Sequence, residues 1–188
     1  MMRYALAALA TAFCVPALAQ QLPLPFNLGG DFELVNQTGE LRTQADPKGQ
    51  PQLLFFGYAN CQEICSAVLP LMAQVADAVA DQGVAVTPVM ITVDPVRDTV
   101  DTIGPALVKH HEDFIGLTGS AEQLQVAYDA YQVETEEVFF DPEYGPVYSH
   151  GSFLYLLDEN GKLLTLVPPI VSPEVAAEIV AKYALGES

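Results

Sequence analysis

Basic side chains are scarce: 7 Lys and Arg stand against 24 Asp and Glu, a formal net charge of −17. A nucleic-acid-binding face needs cations gathered on one surface, so that class is excluded. Cysteine is nearly as scarce, with three in 188 residues. A disulfide-stapled scaffold needs a framework of several pairs, and this chain has none to offer. No apolar run reaches the roughly 20 residues that span a bilayer as a helix. Internal repeats and low-complexity tracts are also absent. What is abundant is apolar residue, 51 % of the chain, enough for one well-filled core. The surplus of carboxylates favours solubility, and basic proteins or cations as partners.

The first 19 residues read as a signal peptide. Arg3 supplies the charge, Tyr4 to Val15 the apolar stretch, and Ala17-Leu18-Ala19 the small-residue cleavage site, with cutting expected before Gln20. Cys14 is preceded by Phe13, where a lipoprotein signal carries a small residue, so it is expected to leave with the signal. Left uncleaved, the segment would anchor the protein to the membrane. Residues 20–29, beginning Gln20-Gln21-Leu22-Pro23-Leu24-Pro25, form an extended leader. Residues 30–186 form the folded domain. Export to the periplasm means an oxidising compartment, and the mature chain meets it with only Cys61 and Cys65.

Along the domain, Asp31 to Asn36 alternates like a strand, and Gln37-Thr38-Gly39-Glu40 turns it into a short N-terminal hairpin. Gln52 to Phe56 is a strand buried on both faces. Ile64, Val68, Leu71, Met72, Val75 and Val79 recur at helical spacing, with Pro70 inside and Gly83 at the close. Val84 to Val93 is a second buried strand, Val100 to His111 a helix, and Phe114 to Leu117 a short strand. Ser120 caps a helix over Ala121 to Tyr131. Val133 to Phe140 is extended and acidic. Phe153 to Leu157 and Lys162 to Val167 pair through the turn Asp158-Glu159-Asn160-Gly161, and Ser172-Pro173-Glu174 opens the last helix. Alternating β and α followed by an antiparallel pair predicts an α/β, thioredoxin-like mixed sheet with helices on both faces and an extra N-terminal β-hairpin.

The chemistry concentrates where the first buried strand turns into a helix, at Cys61-Gln62-Glu63-Ile64-Cys65. The positive end of a helix dipole lowers a thiol pKa and favours the thiolate, which attacks disulfides and binds metals. Of three histidines, His110 and His111 are expected to close a helix. His150, in Tyr148-Ser149-His150-Gly151-Ser152, directly precedes the strong strand, a junction that such a sheet brings beside the thiols. Two thiolates and an imidazole suit a soft metal. Structural zinc usually takes four protein ligands and an iron–sulfur cluster typically four cysteines. Copper therefore fits best, as Cu(I) on three ligands or Cu(II) with an added one. Residues four apart on a helix have Cβ atoms roughly 5–6 Å apart, wider than the 3.5–4.5 Å or so of a disulfide. The spacing favours metal, although an unwound first turn would let the pair oxidise.

Four stretches, in order, resemble the Sco/SenC proteins: Phe56-Gly57-Tyr58-Ala59-Asn60-Cys61-Gln62-Glu63-Ile64-Cys65, Val93-Asp94-Pro95-Val96-Arg97-Asp98-Thr99, Ile115-Gly116-Leu117-Thr118-Gly119, and His150 to Asp158. The resemblance runs from about Gly30 to Tyr183. It implies a thioredoxin-like copper chaperone, not an enzyme in the strict sense, with Cys61, Cys65 and His150 as copper ligands. The partner it implies is the copper-bearing subunit of cytochrome c oxidase or another periplasmic cuproprotein, which would bring the chain near the membrane. The chain departs from the family in having no proline in Gln62-Glu63-Ile64 or at Ser66, and a cleavable signal where many members keep an anchor.

A second reading keeps the dithiol and drops the metal: a thiol-disulfide oxidoreductase that holds target cysteines reduced, with His150 dispensable. Three residues between the cysteines instead of two, and Ser149 where such proteins carry a cis-proline, weigh against it. A peroxidase of the peroxiredoxin type is a third. Elsewhere, Asp98 is expected to cap the following helix and Arg97 to pair with a nearby carboxylate such as Asp94. Glu134, Glu136, Glu137, Asp141 and Glu143 form either a docking face for a basic partner or a solvated loop. Tyr144 and Tyr148 either cover the site or simply pack.

Overall fold

A computed structural model describes residues 28–59 and 65–186. The segment expected to be a signal peptide, most of the expected leader, and Cys61 lie outside the described residues.

Two strands form the heart of the sheet. β3 (Gln52–Gly57) and β4 (Thr87–Thr92) are buried along their whole length and run parallel, from Gln52 opposite Thr87 to Gly57 opposite Thr92. Both are apolar on both faces, as a strand covered by helices on each side must be. β5 (Ile115–Thr118) pairs parallel to β4. β1 (Leu34–Asn36) and β2 (Leu41–Arg42) make the expected hairpin, and β1 adds antiparallel to β5. On the other flank β8 (Leu154–Leu157) pairs antiparallel to β3, and β9 (Leu163–Val167) to β8. The seven-stranded order is β2-β1-β5-β4-β3-β8-β9.

Helices cover both faces. α1 (Cys65–Ala80) runs through Pro70 and ends where Gly83 takes φ 81°, with Gly83 N–H donating to Ala80 O and Val84 N–H to Val79 O. The crossovers β3-α1-β4 and β4-α2-β5 move the same way across the sheet, so right-handed connections place α1 and α2 on one face. α2 (Val100–Leu107) buries Ile103 and Leu107, which press on Gly116 so closely that a Cβ there would meet Ile103 at 2.6 Å. α4 (Pro173–Ala184) packs against α1 on that face. α3 (Ala121–Tyr131) takes the opposite face, where Tyr131 and Tyr128 meet the ring of Phe56 with centroids 5.4 and 6.0 Å away. Its start is a reciprocal cap: Gln123 N–H donates to Ser120 Oγ, and Ser120 N–H to Gln123 Oε1.

Three local expectations change. The helix expected over Val100 to His111 stops at Leu107, where His110 N–H turns back on Leu107 O and tightens the end. That helix is capped by Thr99, whose N–H is taken by Thr102 Oγ1 at 2.8 Å, and not by Asp98. The acidic stretch is not a loose connection: β6 (Glu136–Asp141) and β7 (Gly145–Ser149) form a two-stranded antiparallel ribbon apart from the main sheet, with a register shift between Glu137 and Phe139.

Candidate functional site

The carboxyl ends of β3 and β4 define one edge of the sheet. Beyond Gly57 the chain passes through Tyr58 and Ala59 toward Cys61, and Cys65 opens α1. β8 runs opposite to β3, with Tyr155 facing Leu54, so the segment just before β8 arrives at this same edge. That segment contains His150.

His150 is held by rings. Its imidazole stands edge-on to Phe55 and to Tyr58, with centroids 5.5 and 5.9 Å away. Phe55 is the last-but-two residue of β3, and Tyr58 lies three residues before Cys61, so the late imidazole touches the chain that leads into the thiols. His150 Nδ1 lies 3.0 Å from Gly151 O. A carbonyl only accepts, so this hydrogen bond requires the proton on Nδ1, the tautomer that leaves the lone pair on Nε2. An anchored Nδ1–H is the usual way a metal-binding imidazole is aimed.

Beneath the rings lies a charged knot from the loop between β4 and α2. Asp98 is buried, and its Oδ2 accepts from Ala59 N–H at 2.9 Å and Thr92 Oγ1–H at 2.7 Å. The residue expected to cap a helix instead pins Ala59, two residues before Cys61. Burial pushes its carboxyl above the ordinary carboxylate range, and the two hydrogen bonds, from Ala59 and Thr92, oppose that shift. Tyr128 Oη–H donates to Thr92 O at 2.7 Å and closes the knot from the α3 side.

Arg97 forms the second tie. Its Nε–H donates to buried Asp94, as expected of a charged neighbour, and its Nη1–H to Tyr144 O. Nη2–H donates to Pro146 O at 2.8 Å, and the guanidinium lies 5.4 Å from the centroid of the Tyr58 ring. Tyr148 of β7 stands edge-on to Tyr58 at 5.6 Å. One loop therefore holds the approach to the thiols through Asp98 and the ribbon that leads into His150 through Arg97. Tyr148 packs within this assembly, whereas Tyr144 contributes its carbonyl and leaves its ring exposed.

His110 and His111 precede β5 and so lie at the opposite, amino edge of the parallel strands. His111 Nδ1 accepts from Asp113 N–H at 3.1 Å, and its Nε2 lies 3.3 Å from Asp77 Oδ1. Burial holds His110 below the ordinary imidazole range, and the charge of Lys109 adds to the effect. Among the described residues no three His, Cys, Asp or Glu side chains are grouped as a metal site; Cys61 is outside them.

Sequence reasoning missed the tie from Asp98 to Ala59, the grip of Arg97 on the ribbon, and the ring contacts of Tyr58. The one hint was three charges, Asp94, Arg97 and Asp98, crowded directly after an apolar strand.

Among known proteins, the family model described as SCO1/SenC matches residues 20–185. A SCO2-like protein of Rickettsia felis is 38 % identical over 139 residues, 73 % of this chain and 67 % of the relative. The crystal structure of Arabidopsis thaliana ScoI with copper bound superposes with a TM-score of 0.79 at 28 % identity, covering 85 % of this chain and 99 % of that one. The structure of Bradyrhizobium japonicum ScoI with copper bound gives a TM-score of 0.73 at 29 % identity, covering 83 and 99 %. A thioredoxin-like sheet, the Cys-x-x-x-Cys motif and a family model spanning nearly all of the domain converge: this chain belongs to the SCO1/SenC family.

Proposed function

We propose that this chain is an exported, periplasmic copper chaperone. It takes copper on Cys61, Cys65 and His150 and delivers it to a cuproprotein, the binuclear copper centre of cytochrome c oxidase being the foremost candidate. The single observation that carries the reading is the contact between the His150 ring and Tyr58, which brings a late imidazole onto the chain entering the thiols. Family membership and the copper held by the Arabidopsis and Bradyrhizobium relatives support it.

The chemistry follows from the donor set. Two thiolates and an imidazole bind Cu(I) with soft ligands and leave its coordination open. An incoming thiolate of a partner can add before one of the chaperone's ligands leaves, so the ion is never free. Residues of the chain supply the preparation: Asp98 fixes Ala59 and hence where the cysteine loop starts, the Nδ1–H bond to Gly151 orients the imidazole, and the rings of Phe55 and Tyr58 restrict it.

Metal analysis of the reduced, exported protein tests this. One copper per chain is expected, lost on Cys61→Ala, Cys65→Ala or His150→Ala. Wild-type copper affinity in His150→Ala would overturn the assignment. The alternative dithiol activity would use the same two thiols, with Cys65 as the first residue of the 16-residue helix α1, a position that serves an attacking thiolate as well as a metal ligand. Reduction of a target disulfide that persists in His150→Ala and stops in Cys61→Ala would establish it.

A further inference from the structure

The edge that carries the candidate ligands also carries much of the exposed apolar surface. Val96, Phe139, Phe140, Tyr144, Phe153 and Ile170 are between 46 and 90 % exposed. Their segments meet there. Val96 adjoins Arg97. The β6–β7 ribbon is tied down by Arg97 at Tyr144 and Pro146. Phe153 lies between His150 and β8. Ile170 follows β9, whose last residue, Val167, faces Leu154 at the start of β8. Single exposed apolar side chains are ordinary. Six around one site form the kind of patch that marks an interaction surface.

The ribbon itself adds a second argument. A two-stranded ribbon is marginal alone in water, and here every side chain of β6 from Glu136 to Phe140 is exposed. β7 leans on the body of the protein through Tyr148 and Arg97, whereas β6 does not, so Phe139 and Phe140 keep their apolar area available.

Charge selects the partner. Glu134, Glu136, Glu137, Asp141 and Glu143 lie on or beside the ribbon, and no Lys or Arg occurs between Lys109 and Lys162. The loops at this edge hold one cation, Arg97, which is turned inward onto Asp94 and two carbonyls. A second copy of a chain with net charge −17 would bring like charge to like. An anionic membrane surface attracts polybasic segments, which this edge lacks. The remaining fit is a folded protein with an apolar contact centre rimmed by Lys and Arg.

We infer that this carboxylate-rimmed aromatic collar is the docking face for the protein that takes the copper, holding that partner's basic rim against the ribbon while its metal site faces Cys61, Cys65 and His150. The inference rests on the delivery reading above. The test uses the full mature chain and, as probe, the purified apo copper-bearing domain of the oxidase subunit from the same organism. Two variants are compared with wild type: Phe139→Ser/Phe140→Ser, and Glu136→Lys/Glu137→Lys, whose exposed carboxylates can be reversed without disturbing the core. Both are expected to keep one copper per chain and the wild-type thermal midpoint. Both should slow copper transfer at least tenfold and weaken binding of the copper-free proteins, read by calorimetry, by a similar factor. Charge reversal should also abolish the salt dependence of binding. Wild-type delivery matched within twofold by both variants overturns the docking face and leaves the delivery reading intact. Variant-sensitive binding without any copper transfer upholds the face and overturns delivery. No binding by wild type overturns the face.

Discussion

The two edges of the parallel strands use similar side chains in opposite ways. At the amino edge His111 meets Asp77 at 3.3 Å, but the Asp77 side chain is 72 % exposed, and water screens the pair. At the carboxyl edge Asp94 and Asp98 are 0 and 2 % exposed, and each is bound to named donors. An exposed pair contributes about 0–1 kcal/mol and can drift. A buried carboxylate must be satisfied where it stands, because leaving it or its partners unpaired costs several times more. Positional accuracy is therefore built at the edge that carries His150 and the start of α1.

The sharpest way to break this contrast is Arg97→Ala. It strands buried Asp94 and releases the two carbonyls of the ribbon. A loss of about 3 kcal/mol in urea unfolding is expected, the low end for a broken buried pair, with faster amide exchange over residues 136–149. Arg97→Lys keeps the charge but not the fork and should fall between. A loss below about 1 kcal/mol would make the two edges alike.

Asp98 comes next. Asp98→Ala leaves Ala59 N–H and Thr92 Oγ1–H without their acceptor and should cost about 2 kcal/mol. The sign of its pH dependence is fixed by burial. Because the folded carboxyl titrates above its unfolded value of about 3.9, its contribution is complete below that value and is lost as pH rises through the raised folded one. Asp98→Asn keeps an acceptor without the charge. It should match or exceed wild-type stability at pH 7 and flatten the decline above pH ~4, read from stability against pH. A wild-type slope in Asp98→Asn would assign that decline to another group.

The smallest effect belongs to the amino edge. His111→Ala should change stability by less than about 0.5 kcal/mol and leave copper stoichiometry at the wild-type value by metal analysis.

Legibility in the sequence follows the same divide between covered and uncovered surface. β3 and β4 announce themselves as apolar runs because both of their faces are buried. α3 was legible from Ser120 to Tyr131 because its cap is made by residues three apart. The pairing of the ribbon was not, since β6, exposed along its length, has no alternation to read, and the shift between Glu137 and Phe139 breaks the period of two. That His150 reaches the carboxyl end of β3 could be reasoned from its place before a strong strand. Its Phe55 and Tyr58 contacts could not. Asp98 was misread as a cap because its partner, Ala59, is 39 residues away, and nothing local points so far back.

Asp98 and Arg97 are adjacent, and that adjacency gears two arms of the molecule together. One peptide unit separates the side chain that grips the chain before Cys61 from the side chain that grips the ribbon before His150. A pull on either arm reaches the other through a single rigid plane. One residue inserted between them would throw the two grips out of phase, so the spacing of Ala59 and the ribbon before His150 is governed by a loop that contributes neither.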